Sequence, residues 1–366
     1  MKPETIAIHL SNRVNDTDKP VVQPISLSTT YEHGDDSPIY SRISNPNRTS
    51  LEAVMTALEG GADAAAFATG NAAGMAVFQS LPAHSRILAP SDMYHGLRSQ
   101  LLKVFKGKLE VAFVDMTDIQ SVASNIHKDT SLIWMETPSN PLIRVTNVAA
   151  ICQIAKDKGI RTVVDSTFAT PILQNPLLLG ADMVMHSNTK FIGGHSDVMG
   201  GVLITAKIDD FWENIRNVQV LGGASPSAFD CYLLCRSVKT LSYRVKAHCE
   251  NAMAVANYLE RHPLVDRVYY PGLPNDEGNL LACKQMKGFG GMLSFIYKGD
   301  SKATDRAIAK LKLFSNATSL GGVESLIERR AKVEGDAGNS HPSLVRVSVG
   351  IEHAGDLIED LEQALG

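Results

Sequence analysis

The 366-residue chain has five cysteines, Cys152, Cys231, Cys235, Cys249 and Cys283, and no C-x-x-C among them. An odd number at scattered spacing in a long chain argues against a disulfide framework and against a zinc site. No apolar run approaches the 18 or so residues of a membrane span, and the first residues, MKPETIAIHLSNR, lack the apolar stretch of a signal peptide. Charge of one sign is not in excess: 35 Lys and Arg stand against 39 Asp and Glu, a formal net charge of -4, without long like-charged runs. Nothing therefore points to a nucleic-acid backbone as partner. The motifs G-x-G-x-x-G, G-x-x-x-x-G-K-[ST] and H-E-x-x-H do not occur, so dinucleotide, P-loop and zincin chemistries lack their signatures. The expectation is a cytoplasmic protein without bound metal, acting on a small molecule.

What is present suits a chain of two domains. Residues 1–47 are rich in turn-formers and read as an extended N-terminal arm, of a kind that often reaches a partner subunit. Thr49 and Glu52 have capping-box spacing, Leu51, Val54, Met55 and Leu58 form a helical stripe, and Gly60-Gly61 ends it. Seven short apolar runs follow, AAAFA (64–68), RILAP (86–90), VAFV (111–114), SLIWME (131–136), RTVVD (161–165), DMVMH (182–186) and GVLIT (201–205). Runs of this kind suit strands covered on both faces, and the helical segments between them imply a mostly parallel α/β sheet. That domain is expected over 48–242. Over 243–366 the pattern changes to long helical stretches (244–261, 301–313, 355–365) with fewer strands (266–270, 291–297, 344–349), a smaller α+β domain.

In parallel α/β sheets ligands bind beyond the carboxyl ends of the strands. Lys190 follows the DMVMH run within Ser-Asn-Thr-Lys-Phe-Ile-Gly-Gly. Most lysines are solvated, but one placed there can lose its proton and form a Schiff base. Asp165 ends the RTVVD run, where it can cap a turn or pair with a protonated cofactor ring nitrogen. Gly70 and Asn71 open a helix-like run, and their N–H groups with the Ser187 and Thr189 hydroxyls could cradle a phosphate.

Eight motifs in order carry a resemblance over nearly the whole chain. They are Tyr40-Ser-Arg42-x-x-Asn45-Pro46, Thr69-Gly70, Met93-Tyr94-His-Gly, Glu136-Thr-Pro-Ser-Asn140-Pro141, Val164-Asp165-Ser-Thr-Phe, His186-Ser187-Asn-Thr189-Lys190-Phe-Ile-Gly-Gly-His-Ser-Asp, Ser319-Leu-Gly-Gly-Val-Glu324-Ser-Leu and Arg346-Val-Ser-Val-Gly-Ile-Glu. The chain resembles the Cys/Met-metabolism (transsulfuration) family of pyridoxal-phosphate enzymes. That group holds cystathionine γ-synthases, γ- and β-lyases and methionine γ-lyases, on the aspartate aminotransferase-like fold type I. The resemblance implies that Lys190 holds pyridoxal 5'-phosphate, Asp165 keeps its ring nitrogen protonated, Tyr94 stacks on the ring and Asn140 lies near the 3-oxygen. Gly70, Asn71, Ser187 and Thr189 would bind the phosphate, with Tyr40 and Arg42 completing the site from the partner of a homodimer, itself commonly paired into a homotetramer. Arg346 would clamp the substrate α-carboxylate, supported by Ser319 near Lys190, and Glu324 is a further candidate for substrate binding. Lys190 would act as general base, and Tyr94 would assist the leaving group.

Gly96, near where the methionine γ-lyases carry cysteine, and Leu320, where β-lyases more often carry tryptophan, point to γ-elimination or γ-replacement on cystathionine or an activated homoserine. A β-lyase, a methionine γ-lyase or a cofactor-binding protein without turnover are the alternatives; a nicotinamide dehydrogenase lacks its glycine fingerprint. Three departures stand out: His95 for a usual glycine, Asn71 for Met or Ala, and Glu328-Arg329-Arg330-Ala-Lys-Val-Glu-Gly-Asp336 for the usual His-Pro-Ala segment beside the site entrance.

Overall fold

The seven apolar runs become seven strands. In the computed structural model, which describes residues 1–11, 20–34, 38–334 and 340–366, they are β1 (Asp63–Phe67), β2 (Arg86–Pro90), β3 (Glu110–Val114), β4 (Thr130–Glu136), β5 (Arg161–Asp165), β6 (Met183–His186) and β7 (Gly201–Thr205). They form one sheet in the order β1-β7-β6-β5-β4-β2-β3. Strands β2 to β6 run parallel, and β7 lies antiparallel to both of its neighbours. Alternate residues serve opposite faces: Ala65 and Leu203 enter a core with Phe78 and Trp134, while Ala64, Val202 and Ile204 enter another. With both faces covered, no position in the strand needs a polar side chain, which is why the runs are apolar throughout.

A second sheet holds β8 (Val265–Tyr269), β9 (Met292–Tyr297), β10 (Ser315–Asn316), β11 (Leu326–Arg329) and β12 (Leu344–Ser348), in the order β10-β11-β12-β9-β8. Strands β10 and β11 were not expected. β10 is two residues long and β11 reads LIER, so neither presents an apolar run. Glu328 is nonetheless buried in β11, because the neighbouring strand supplies its counter-charge. The helix Leu241–Glu260 joins the halves: Leu241 and Val245 pack into the first core, Ala252, Val255 and Leu259 into that of the second sheet. No helix of the described residues is long and apolar enough to cross a membrane.

Two local expectations are corrected. Residues 1–47 are not extended throughout, since α1 (Pro3–Leu10) is a helix whose Ala7 is buried in the first core; residues 12–19 and 35–37 of this arm lie outside the described residues. The helix α2 (Pro46–Glu59) starts three residues before Thr49, capped by Asn45, whose side chain accepts from the Asn47 N–H. Proline at its first position is pre-set for a helix and lacks an N–H to satisfy. Glu52 therefore has no cap to reach back to. Its carboxylate instead accepts from the Ala66 N–H, Arg216 and Gln219. Gly60 ends α2 in the left-handed conformation, at φ 72°, as its place after the stripe suggests. Leu51, Val54, Met55 and Leu58 are buried, each contributing about 1.5–3 kcal/mol by leaving water.

Candidate active site

The carboxyl ends of β4, β5 and β6 lie side by side, and in register Glu136 stands opposite Asp165 and Asp165 opposite Met185. The turn after β6 carries Lys190. It is closed by the Lys190 N–H on Ser187 O at 3.1 Å and by the Gly194 N–H on Lys190 O at 2.7 Å. Gly194 sits at φ 67°, where a side chain would be strained and would also strike the Arg244 guanidinium. Arg244 in turn donates to Phe191 O at 2.6 Å and Ile192 O at 3.2 Å, which fixes the segment following the lysine.

Lys190, Asp165, Tyr94, Gly70, Asn71, Ser187, Thr189, Asn140, Ser319 and Arg346 all line one cavity of about 310 Å³. Lys190 Nζ donates to Ser319 Oγ at 2.8 Å. Burial, reinforced by Arg346, lowers its pKa to about 8 against a weaker opposing pull from Glu328. Asp165 is buried; its Oδ1 accepts from the Thr167 N–H at 3.0 Å and the Thr167 hydroxyl at 2.5 Å. Burial raises the carboxyl while these donors and His186 oppose the rise. Glu136 is raised further, by burial and then by the adjacent Asp165. The stronger rise at Glu136 favours the proton on that carboxyl over Asp165. Tyr94 is raised by burial and by both carboxyls, so it remains a phenol; its N–H donates to Glu136 Oε2 at 2.7 Å.

The helix α3 (Gly70–Ser80) is capped by Thr69, whose hydroxyl accepts from the Ala72 N–H at 3.0 Å. The N–H groups of Gly70 and Asn71, first in the helix, have no intrahelical acceptor and carry the positive end of its dipole. A methyl group on Gly70 would fall 2.9 Å from Ser187 Oγ and fill this cradle. A half-buried amine, a buried carboxylate and an anion cradle in one cavity fit the chemistry of pyridoxal phosphate.

Arg346, on β12, faces Glu328 across the antiparallel pair with β11. Its guanidinium donates to Asn140 Oδ1 at 3.1 Å and Ser319 O at 2.9 Å, and pairs with Glu328 Oε1 at 2.7 Å. Burial lowers its pKa to about 10, which leaves it charged at neutral pH. Arg330 also lines the cavity and pairs with the same Glu328 oxygen at 2.5 Å.

Glu324 does not line the cavity; its carboxylate accepts from the Ser196 hydroxyl. Tyr40 and Arg42 lie outside it too, both exposed, with Arg42 donating to Val220 O at 2.6 Å. His95 turns to Ser99 Oγ, 3.2 Å from its Nε2. Gly335 and Asp336, the end of the atypical segment, lie outside the described residues. Sequence reasoning did not single out Glu136, Thr167, Glu328 or Arg330 as site residues. Glu136 and Thr167 stood within quoted motifs, and Arg330 within the departure from the usual segment, so position gave a signal that residue type alone did not.

A profile described as Cys/Met metabolism PLP-dependent enzyme matches residues 4–366. The cystathionine γ-synthase of Mycobacterium tuberculosis is 43% identical over 100% of this chain and 97% of its own length. The cystathionine γ-lyase of Dictyostelium discoideum is 40% identical over 99% of this chain and 97% of its own. The crystal structure of metB from Corynebacterium glutamicum superposes with a TM-score of 0.96 at 38% identity, covering 100% of this chain and 98% of that one. The mostly parallel sheet with its smaller second sheet is thus the fold type I architecture, and the chain belongs to the Cys/Met metabolism family of pyridoxal-phosphate-dependent enzymes.

Proposed function

We propose that the chain works at Cγ of an amino acid, by γ-elimination or γ-replacement on cystathionine or an activated homoserine, as a cystathionine γ-lyase or γ-synthase does. The observation that carries this reading is Lys190: a half-buried amine with pKa lowered to about 8, in one cavity with the Asp165 carboxylate and the Arg346 guanidinium. Lys190 would hold pyridoxal phosphate, with Asp165 at its ring nitrogen, Tyr94 on its ring face and Asn140 near its 3-oxygen. Gly70, Asn71, Ser187 and Thr189 would take the phosphate, completed by Tyr40 and Arg42 reaching from a second copy of the chain in a dimer or tetramer. Bound there, the cofactor supplies an electron sink for the pair left when a proton leaves Cα.

The chain's own groups do the rest. Arg346, braced by Asn140, Ser319 O and Glu328, meets the substrate α-carboxylate with a planar pair of donors and fixes which face of Cα points at Lys190. An amine with pKa about 8 is partly neutral at physiological pH, so Lys190 takes the Cα proton and returns it further along the substrate. Ser319 Oγ, 2.8 Å from Nζ, steers the amine between those positions. Tyr94, kept a phenol, donates its proton to the group departing from Cγ. Asp165, whose ionised form the two Thr167 donors favour, would keep positive charge at the far side of the site.

Product analysis tests the reading. With L-cystathionine and water, γ-elimination gives cysteine, 2-oxobutyrate and ammonia; with O-succinylhomoserine and cysteine, γ-replacement gives cystathionine and succinate. Homocysteine with pyruvate from the first mixture, or no reaction in either, would overturn it.

A further inference from the structure

The cavity contains more cationic recognition than a plain α-amino acid needs. Arg346 suffices for one carboxylate, yet Arg330, the residue after β11, lines the same cavity, and its side chain is only 7% exposed. The two neighbouring arginines part company here. Arg329 turns outward into a bidentate pair with Asp305, at 2.8 and 3.0 Å, while Arg330 turns inward. Among the described residues Arg330 makes two contacts, Nη1 to Glu328 Oε1 at 2.5 Å and Nη2 to Glu334 Oε1 at 3.2 Å. Its Nε is buried and has no partner among the described residues. Since a guanidinium has five N–H donors, Arg330 keeps donors uncommitted at the cavity wall.

Glu328 explains how two guanidiniums can stand together. Its Oε1 takes Arg346 at 2.7 Å and Arg330 at 2.5 Å, holding them side by side and offsetting their repulsion, while Oε2 is buried without a partner. A bracing carboxylate of this kind fixes positions without saturating the donors it aligns. An anion arriving in the cavity would meet the Nη donors that the two carboxylates leave free. Arg330 shares the cavity with Tyr94, the group proposed to protonate the departing γ-substituent.

We infer that Arg330 forms a second anion subsite and that the preferred substrate carries a carboxylate at the end of its γ-substituent, either on an acyl group or on the far half of a thioether. This rests on the reading of the cavity as a γ-substrate site. Arg330 is then the residue that separates such substrates from neutral ones of the same length.

The test uses the holoenzyme and two amino acids without a γ-leaving group, L-2-aminosuberate, which ends in a carboxylate, and the neutral L-2-aminooctanoate. Calorimetric titration of wild type should favour the dicarboxylate, and Arg330→Met should reduce the ratio of affinities by about 10- to 100-fold, as loss of a charge-assisted contact does. Arg330→Lys, which keeps the charge, should retain part of the preference and guards against a variant that fails to fold. In kinetics, the kcat/KM ratio of O-succinyl- to O-acetylhomoserine, each with cysteine, should fall with the affinity ratio; L-cystathionine alone reports the thioether form. An affinity ratio unchanged in Arg330→Met, or a wild-type preference for the neutral ligand, would overturn the subsite. A ratio that responds in binding while neither ester nor cystathionine reacts would leave the subsite standing and overturn the γ-chemistry.

Discussion

Lys190 Nζ and Ser319 Oγ lie 2.8 Å apart although 129 residues separate them in the chain. The first belongs to the turn after β6 of the large sheet, the second to the segment between β10 and β11 of the small one. The cavity therefore exists only where the two halves meet, and the amine that would carry the chemistry is set by both. Its surroundings supply desolvation and a nearby guanidinium, the two influences that make a lysine a base near neutral pH.

That lowered pKa gives the first prediction. Uptake of pyridoxal phosphate by the apoenzyme requires neutral Lys190, so its rate should level off above the pKa of about 8 and fall roughly tenfold per pH unit below it. Stopped-flow absorbance of cofactor binding measures this directly. A rate flat through that range would show that the amine is not the titrating group, and Lys190→Ala should lose both turnover and the borohydride-trapped cofactor.

The neighbouring carboxyls at Glu136 and Asp165 should respond oppositely to amide substitution. Glu136, the more strongly raised of the two carboxyls, is mimicked in its protonated form by glutamine, so Glu136→Gln should keep kcat within about threefold, whereas Asp165→Asn should reduce it by about 100-fold or more. Equal losses in the two variants would refute the assignment of the proton to Glu136.

Gly70→Ala tests the phosphate cradle. The added methyl would meet Ser187 Oγ and Cβ at 2.9 Å, narrowing the space in front of the helix N-terminus. Cofactor affinity should weaken by about tenfold or more with little change in the melting temperature of the apoenzyme. Equilibrium dialysis reads the first and calorimetry the second; unchanged affinity would move the phosphate elsewhere.

His248 predicts acid sensitivity. It is fully buried, its Nδ1 donates to Val349 O at 2.7 Å, and its ring stands edge-on to Phe191, the residue after Lys190. Burial lowers its pKa from 6.5 to about 4, so between these values the unfolded chain binds the extra proton. Stability from this group is thus complete above the unfolded value and is lost as pH falls toward 4, a cost of about 3 kcal/mol across the window. The melting temperature of His248→Gln should fall less than that of wild type between neutral pH and pH 5; parallel curves would exclude this histidine as the source.

Sequence alone determined the large sheet and most of the residues facing the cavity. Each strand of that sheet is covered on both faces, so burial wrote itself into the chain as a continuous apolar run, and the residue following each run marks the ligand edge. That logic reaches Lys190 and Asp165 without knowledge of any partner strand. It reached α2 only partly: the spacing of Thr49 and Glu52 put the start at Thr49, whereas the helix is capped by Asn45 with Pro46 at its first position. Tertiary structure decided what no local pattern encodes. β11 reads as polar because Glu328 is neutralised by Arg346 across the pair with β12, and Arg329 and Arg330, adjacent and alike in sequence, were sorted outward and inward by Asp305 and Glu328. The meeting of the Glu136 and Asp165 carboxyls was likewise decided by which strands became neighbours. Charge pairing acts over a few ångströms in space, and the chain records only neighbours along its length.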